Sequence, residues 1–350
     1  MDLAYSEEER DLRESLGNFF AKEASLSVVR AAEPTGFDIA LWEKVAALGL
    51  PSMGVAAALG GGGATLLDLT LTAEEFGRRL APVPLLESMV AANLLGRLVS
   101  MGAAPLASEL LAAVVEEGSI ASLALRPLRD GVATLAPAGA VSDALLVLDG
   151  DDLVALRSSI GPRSPSQVPA NLGCTPLADR GRGIDESAVL TSGPSATAVF
   201  AEARREWQVL MAGALVGVAQ SALDLATEYV RERHAFGVPL ATFQTVQHRL
   251  ADAVTELDGA RLLTYEAACA AKDEAARASS LAVMAFVFAT QTAFKIAGDS
   301  LHLHGGYGYT LEYDVQLYFR RAKAWPLAYG DPKDGYQEAA ARLFERVPAS

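Results

Sequence analysis

The stretch His302–Lys323, HLHGGYGYTLEYDVQLYFRRAK, carries the reading of the fold, because a Gly305-Gly306 pair interrupts a helical pattern where aromatic residues begin. Lacking Cβ atoms, these glycines let the chain turn with positive φ and let a ligand approach main-chain N–H groups. Alone, the same residues also describe a helix C-cap followed by a core aromatic cluster. Alanine-rich periodic segments precede them at roughly 202–232, 243–273 and 279–301, and a shorter one follows at about 313–324. Their lengths and apolar faces suit an antiparallel bundle, whose ends would hold the turns Arg233–Gly237 and His302–Gly306.

Further towards the N-terminus the texture changes twice. Between about Ser119 and Leu190, the runs ASLAL, ATLAP, ALLVLDG and DLVAL are short and β-like, separated by Asp-Gly, Pro and Gly. They predict a small β domain, with Ser158–Asn171 as an irregular loop or an eroded strand pair. Before it, Ser6 followed by Glu7, Glu8 and Glu9 signals a capped helix start. Leu41, Val45 and Leu48 keep helical spacing until Gly49 and Pro51 stop it. The segment LGGGG at Leu59–Gly63 reads as a flexible connection, since it lacks the Lys-Ser/Thr ending of a phosphate-binding loop. The expectation is an α+β multidomain chain: an N-terminal helical domain over 1–117, a shortened middle β domain over 118–197 and a C-terminal four-helix bundle over 198–350.

Composition bounds the function classes. A net charge of −14 with no Lys/Arg cluster argues against nucleic-acid binding, which relies on neutralising phosphates. The two cysteines, Cys174 and Cys269, are too few for a disulfide framework and lack metal-site spacing. Charge from Glu7 onward leaves no signal-peptide core, and no window holds the ~18 uninterrupted apolar residues of a membrane span, Leu281–Thr290 being the longest run. A cytoplasmic location is expected.

Three segments together carry a family resemblance: Leu48-Gly49-Leu50 with the LGGGGA loop, then VGVAQSALDLATEYVRERHAFGVPLATFQTVQHRLAD at Val216–Asp252, and the opening stretch. The chain resembles the acyl-CoA dehydrogenase family over nearly its whole length. The resemblance implies FAD, with the ADP half held by the bundle across a subunit interface. By position, Arg233 would pair with the pyrophosphate through its fork of donors; Phe236 belongs to the same Arg-x-x-Phe-Gly turn. Gln244 would hydrogen-bond nearby, the Gly305 and Gly306 backbone would approach the adenosine diphosphate, and His302 stands where the family commonly has Gln. For His302 and His304 as metal ligands, no carboxylate or cysteine stands at suitable spacing.

Two departures qualify the resemblance. The family's flavin-ring strand and loop, of the type Thr-Glu-Pro-Gly-Ala-Gly-Ser-Asp, is replaced by ASLALRPLRDG at Ala121–Gly131. The family's loop glutamate position is taken by Tyr329, a poor base at neutral pH, with Asp331 two residues on. Some members keep the base at the start of the first bundle helix, and Glu206 lies within about one residue of that place; otherwise it is an acidic residue of a first helical turn. Trp207 lines an acyl pocket or packs in the core.

These features suit a subunit that completes another protein's active site, as in actinobacterial relatives of steroid type, where two unlike subunits form a heterotetramer. The expected function is α,β-desaturation of a bulky or steroid-side-chain acyl-CoA, jointly with a paralogous partner. The alternatives are a self-sufficient dehydrogenase using Glu206 as base, and a non-catalytic structural or regulatory subunit.

Overall fold

The N-terminal cap forms as its sequence predicts. Ser6 Oγ accepts the Glu9 N–H at 3.1 Å while the Glu9 carboxylate accepts the Ser6 N–H at 2.7 Å, a reciprocal capping box. It opens α1, Glu7–Glu23, in the computed structural model, which describes residues 5–158 and 168–344. Five helices follow: α2 (Leu26–Ala31), α3 (Ile39–Ala47), α4 (Leu66–Arg79), α5 (Leu85–Ser100) and α6 (Pro105–Glu117). Gly49, with φ +68°, ends the α3 region, and Pro51 opens a short 3-10 turn.

The middle segment supplies strands β1 (Ala121–Leu123), β2 (Val132–Ala136), β3 (Ala144–Asp149), β4 (Asp152–Arg157), β5 (Ala178–Gly181) and β6 (Glu186–Ser192). One sheet has the order β1-β3-β4-β6, with β1 parallel to β3 and the other pairs antiparallel; β2 pairs with β5 separately. All four predicted β-like runs are strands. β3 and β4 are continuously buried, as their unbroken apolar runs require, whereas β6 is mostly exposed. Arg180 on β5, only 1% exposed, joins the two sheets: it pairs with Asp185 at 2.8 Å and donates to the carbonyls of Gly139, Ser142 and Leu156. Of the predicted irregular stretch Ser158–Asn171, residues 159–167 lie outside the described part.

The last third forms α7 (Pro194–Glu232), a hairpin of β7 (His234–Ala235) and β8 (Val238–Pro239), α8 (Gln244–Asp273), α9 (Ala275–Leu303), α10 (Val315–Ala324) and α11 (Pro332–Phe344). The predicted four helices are α7 to α10. α7 begins earlier than expected because Pro194, following Gly193, sits at a first helical position and alanines continue from there. α11 was not anticipated.

The chain divides into two compact units interleaved in sequence. One comprises Met1–Leu26, Thr70–Ala81 and Gln208–Ser350; the other comprises Ser27–Leu69 and Pro82–Trp207. Within the first, α4 and α7 approach so closely that a Cβ on Gly77 or Gly217 would strike the backbone of Ala214 or Glu74 on the facing helix. Glu74, fully buried, is compensated by the Tyr265 hydroxyl at 2.5 Å and by Arg261 at 3.2 Å, which binds α8 to α4. Within the second, the glycine-rich loop is not the flexible connection its composition predicts. Gly63 N–H donates to Val55 O at 2.8 Å and Ala64 N–H to Met53 O at 2.9 Å, so the glycines serve a tightly folded-back backbone.

By length and mean hydropathy, Pro194–Glu232 and Arg277–Leu303 are apolar enough to cross a membrane, which a search for uninterrupted apolar runs does not register. In their most apolar windows 78% and 61% of residues are buried within the protein, as befits bundle helices.

Candidate functional site

Two turns meet at one end of the bundle. α7 stops at Glu232, and the next N–H, on Arg233, still donates to Tyr229 O at 2.8 Å. The β7–β8 hairpin reverses at Phe236 and Gly237, with φ +55° and +84°, the positive pair that a tight hairpin turn uses. Phe236 accepts this strained conformation while its ring stands 97% exposed. α9 ends at Leu303, and Gly305 follows with φ +61°; a Cβ on Gly305 or Gly306 would meet nothing within 4 Å. The Arg233 guanidinium lies 5.7 Å from the Tyr307 ring centroid, and the Tyr229 ring stacks on His304 at 4.2 Å.

Predicted site residues therefore converge: Arg233, Phe236, Gly305 and Gly306 share this end, and all four are exposed. Gln244 is the exposed first residue of α8, preceded by Phe243, whose ring meets that of Phe236 edge-on at 6.3 Å. His302 is exposed. His304 is the buried histidine, its Nδ1 set 2.7 Å from Ser300 O, and burial holds its pKa below the ordinary imidazole value. Among the described residues no group of three or more His, Cys, Asp and Glu could hold a metal.

The positions that differ from the family pattern are differently placed. In the loop after β1, the N–H groups of Ala124, Leu128 and Arg129 donate to Leu146, Leu148 and Val132 carbonyls at 2.8 to 3.1 Å. Those donors are engaged within the protein. Tyr329 is 6% exposed, its ring 5.3 Å from that of Phe286 and its hydroxyl donating to Glu338 at 2.6 Å. It is a packing residue of the bundle. Asp331 is exposed and precedes α11.

Glu206 is not in a first helical turn. Because α7 begins at Pro194, Glu206 lies more than three turns inside the helix, beyond the reach of the terminal dipole. It lines a cavity of about 450 Å³ with Glu202, Arg97, Asn93, Gly96 and apolar residues of the folded-back loop. Burial raises its pKa; the ion pair with Arg97, and more weakly the Asn93 amide, oppose this. Trp207 does not line the cavity. It is fully buried, with Nε1 donating to Glu87 at 3.4 Å, and burial likewise raises the Glu87 pKa. Sequence reasoning missed Glu87, Asn93 and Arg97, although polar residues within the otherwise apolar LLESMVAANLLGRLVS were a usable signal.

The three-part architecture, with this bundle end, is that of the acyl-CoA dehydrogenases. The chain belongs to that family: residues 6–117 match its N-terminal domain and residues 199–332 its C-terminal domain. Its family members are FAD-dependent oxidoreductases acting on CH–CH bonds. Acyl-CoA dehydrogenase IpdE2 of Mycolicibacterium smegmatis is 28% identical over 97% of this chain and 100% of the relative. The Tcur3481-Tcur3483 steroid ACAD is similar in structure, with a TM-score of 0.84 and 26% identity over 97% of this chain and 98% of that one. A chain of the ChsE4-ChsE5 complex from Mycobacterium tuberculosis shares the fold, with a TM-score of 0.86, 24% identity and full coverage of both chains.

Tested against the cofactor of this family, the two regions differ. The bundle end fits an ADP group: guanidinium donors, glycine backbone open to close approach and exposed aromatic rings stand side by side. In the loop after β1, the Ala124, Leu128 and Arg129 N–H groups are already satisfied and cannot serve as donors to a flavin ring.

Proposed function

We propose that this chain is a subunit of a hetero-oligomeric acyl-CoA dehydrogenase that desaturates a bulky acyl-CoA. Arg233, Gln244 and the Gly305-Gly306 backbone hold the ADP end of an FAD whose ring, with the catalytic base, belongs to an unlike partner. The observation that carries this reading is Tyr329: at the family's base position stands a buried phenol whose proton is already donated to Glu338. A phenol with an ordinary pKa near 10 does not abstract an α-proton efficiently at neutral pH. Relatives described as a Tcur3481-Tcur3483 steroid ACAD and a ChsE4-ChsE5 complex support both the paired assembly and, for the first, a steroid-type acyl group.

The test is flavin stoichiometry. Purified alone, the chain retains little FAD; co-expressed with an unlike family member that pairs with it, the assembly retains FAD and oxidises acyl-CoA. A yellow homotetramer that is fully flavinylated and active by itself overturns the proposal.

A second reading, a self-sufficient enzyme with Glu206 as base, is favoured by the cavity that Glu206 lines. Burial raises the Glu206 pKa, which suits a base, while its pairing with Arg97 works against it by occupying and partly stabilising the carboxylate. Glu206→Gln decides between them: kcat of the assembled enzyme falls by orders of magnitude if Glu206 is the base, and stays within a few-fold if the partner supplies it.

A further inference from the structure

The aromatic residues at the bundle end form a closed set of contacts around Arg233. Its guanidinium lies over the Tyr307 ring, 5.7 Å from the centroid, and Tyr307 stacks on Tyr313 with centroids 5.3 Å apart and planes at 29°. Tyr313 meets Tyr229 edge-on at 6.3 Å and His304 at 6.0 Å, and those two stack on each other at 4.2 Å. Tyr229 lies one turn before Arg233 and accepts the Arg233 N–H at its carbonyl, so the series returns to the helix end from which the arginine projects. The backbone of Tyr307 is itself tied down: its carbonyl accepts the Thr310 N–H at 3.1 Å and the Thr310 hydroxyl at 3.0 Å.

No carboxylate holds this arginine. Among the described residues its side chain takes part in no ion pair or hydrogen bond, and the group it meets is the Tyr307 ring. Arg180 and Arg261, by contrast, are clamped by carboxylates. The difference matters at an anion site. A carboxylate would occupy part of the guanidinium fork and repel a diphosphate, whereas an aromatic face attracts the cation and leaves its N–H donors unused. A long side chain without such a contact loses more rotamer freedom each time it binds, which weakens binding.

We infer that Tyr307 is a positioning residue: its ring, backed by Tyr313, pre-orients the Arg233 guanidinium for a diphosphate without consuming the donors that the diphosphate needs. The inference rests on the proposed role of Arg233 at the ADP end of FAD. Tyr307 acts through the arginine and not through a contact of its own with the cofactor. The ring is what matters, so the phenol hydroxyl is dispensable.

The contact is read first on the full chain, without flavin or partner. In an arginine-labelled sample, ring-current shielding should move the Arg233 δ-methylene proton signals upfield, the signals being assigned by their absence from Arg233→Ala. Tyr307→Leu should abolish that shift and Tyr307→Phe should restore it. In the partnered assembly, FAD affinity should fall about two- to fivefold in Tyr307→Leu, the size expected of an exposed cation–π contact, and recover in Tyr307→Phe. In an Arg233→Ala background, Tyr307→Leu should add nothing, because no guanidinium remains to be positioned. Unmoved δ-methylene signals in Tyr307→Leu overturn the inference. So does undiminished affinity in that variant while Arg233→Ala lowers it, a result that leaves the role of Arg233 standing. Losses that add in the double variant overturn it as well, since Tyr307 would then touch the cofactor directly. Unaltered FAD affinity in Arg233→Ala itself overturns the ADP reading, and the role of Tyr307 falls with it.

Discussion

The bundle end and the loop after β1 treat their potential ligand-binding groups oppositely. At the bundle end, potential ligand-binding groups are left open: Phe236 is almost wholly exposed, and Gly305 and Gly306 face empty space. After β1, equivalent backbone donors close onto neighbouring strands. The middle domain satisfies its own polar groups and remains a well-formed support, whereas the bundle end keeps surface that is costly to expose unless something covers it.

The sharpest way to test that the middle domain is intact is to break its internal ties. Arg180→Met removes five hydrogen bonds or ion-pair contacts and strands the 3%-exposed Asp185 carboxylate. A loss of about 3–5 kcal/mol is expected, read from urea unfolding. A loss below about 1 kcal/mol would mean that the domain is loosely held and that its altered loop reflects decay.

Arg233→Ala addresses the other region. FAD affinity of the partnered assembly should fall by about ten- to a hundredfold, matching about 1.5–3 kcal/mol for a hydrogen bond to a charged group, with thermal stability nearly unchanged. Unaltered flavin content measured by absorbance would place the ADP group elsewhere and favour a non-catalytic subunit.

Tyr329→Phe has a smaller effect. Loss of the 2.6 Å bond to Glu338 should cost about 1 kcal/mol of stability and leave turnover of the assembly unchanged. A collapse of turnover at unchanged stability would make the phenol a participant in the chemistry.

The smallest expected effect is a pH slope. Burial depresses the folded-state pKa of His304 below its ordinary 6.5, so the unfolded chain binds the proton more readily. The stabilisation is complete above about pH 6.5 and is lost as pH falls from there through the lower folded value. His304→Gln should flatten this acid limb in thermal melts, while a matching change at exposed His302 should not.

Legibility in the sequence followed the range of the interaction. The capping box at Ser6–Glu9 lies within four residues, and the unbroken apolar runs of β3 and β4 announce two-sided burial; both were readable directly. β6 passed unnoticed because its exposed face dilutes the apolar pattern. The glycine-rich loop misled for a different reason. Glycine composition signals both flexibility and close backbone approach, and only the partners of Gly63 and Ala64 distinguish the two. Glu206 was selected by position, but its pairing with Arg97, 109 residues earlier, was beyond any local pattern.

By itself the sequence determined the α-β-α order and placed the Arg233 and Gly305 turns at bundle ends, since these rest on periodicity and spacing along the chain; that Tyr329 stands where relatives carry a glutamate came from the family resemblance. Tertiary structure alone decided which polar groups are free to act. Whether a donor or carboxylate is available depends on burial and on partners brought from distant elements, as the engaged N–H groups after β1 and the Glu206–Arg97 pair show.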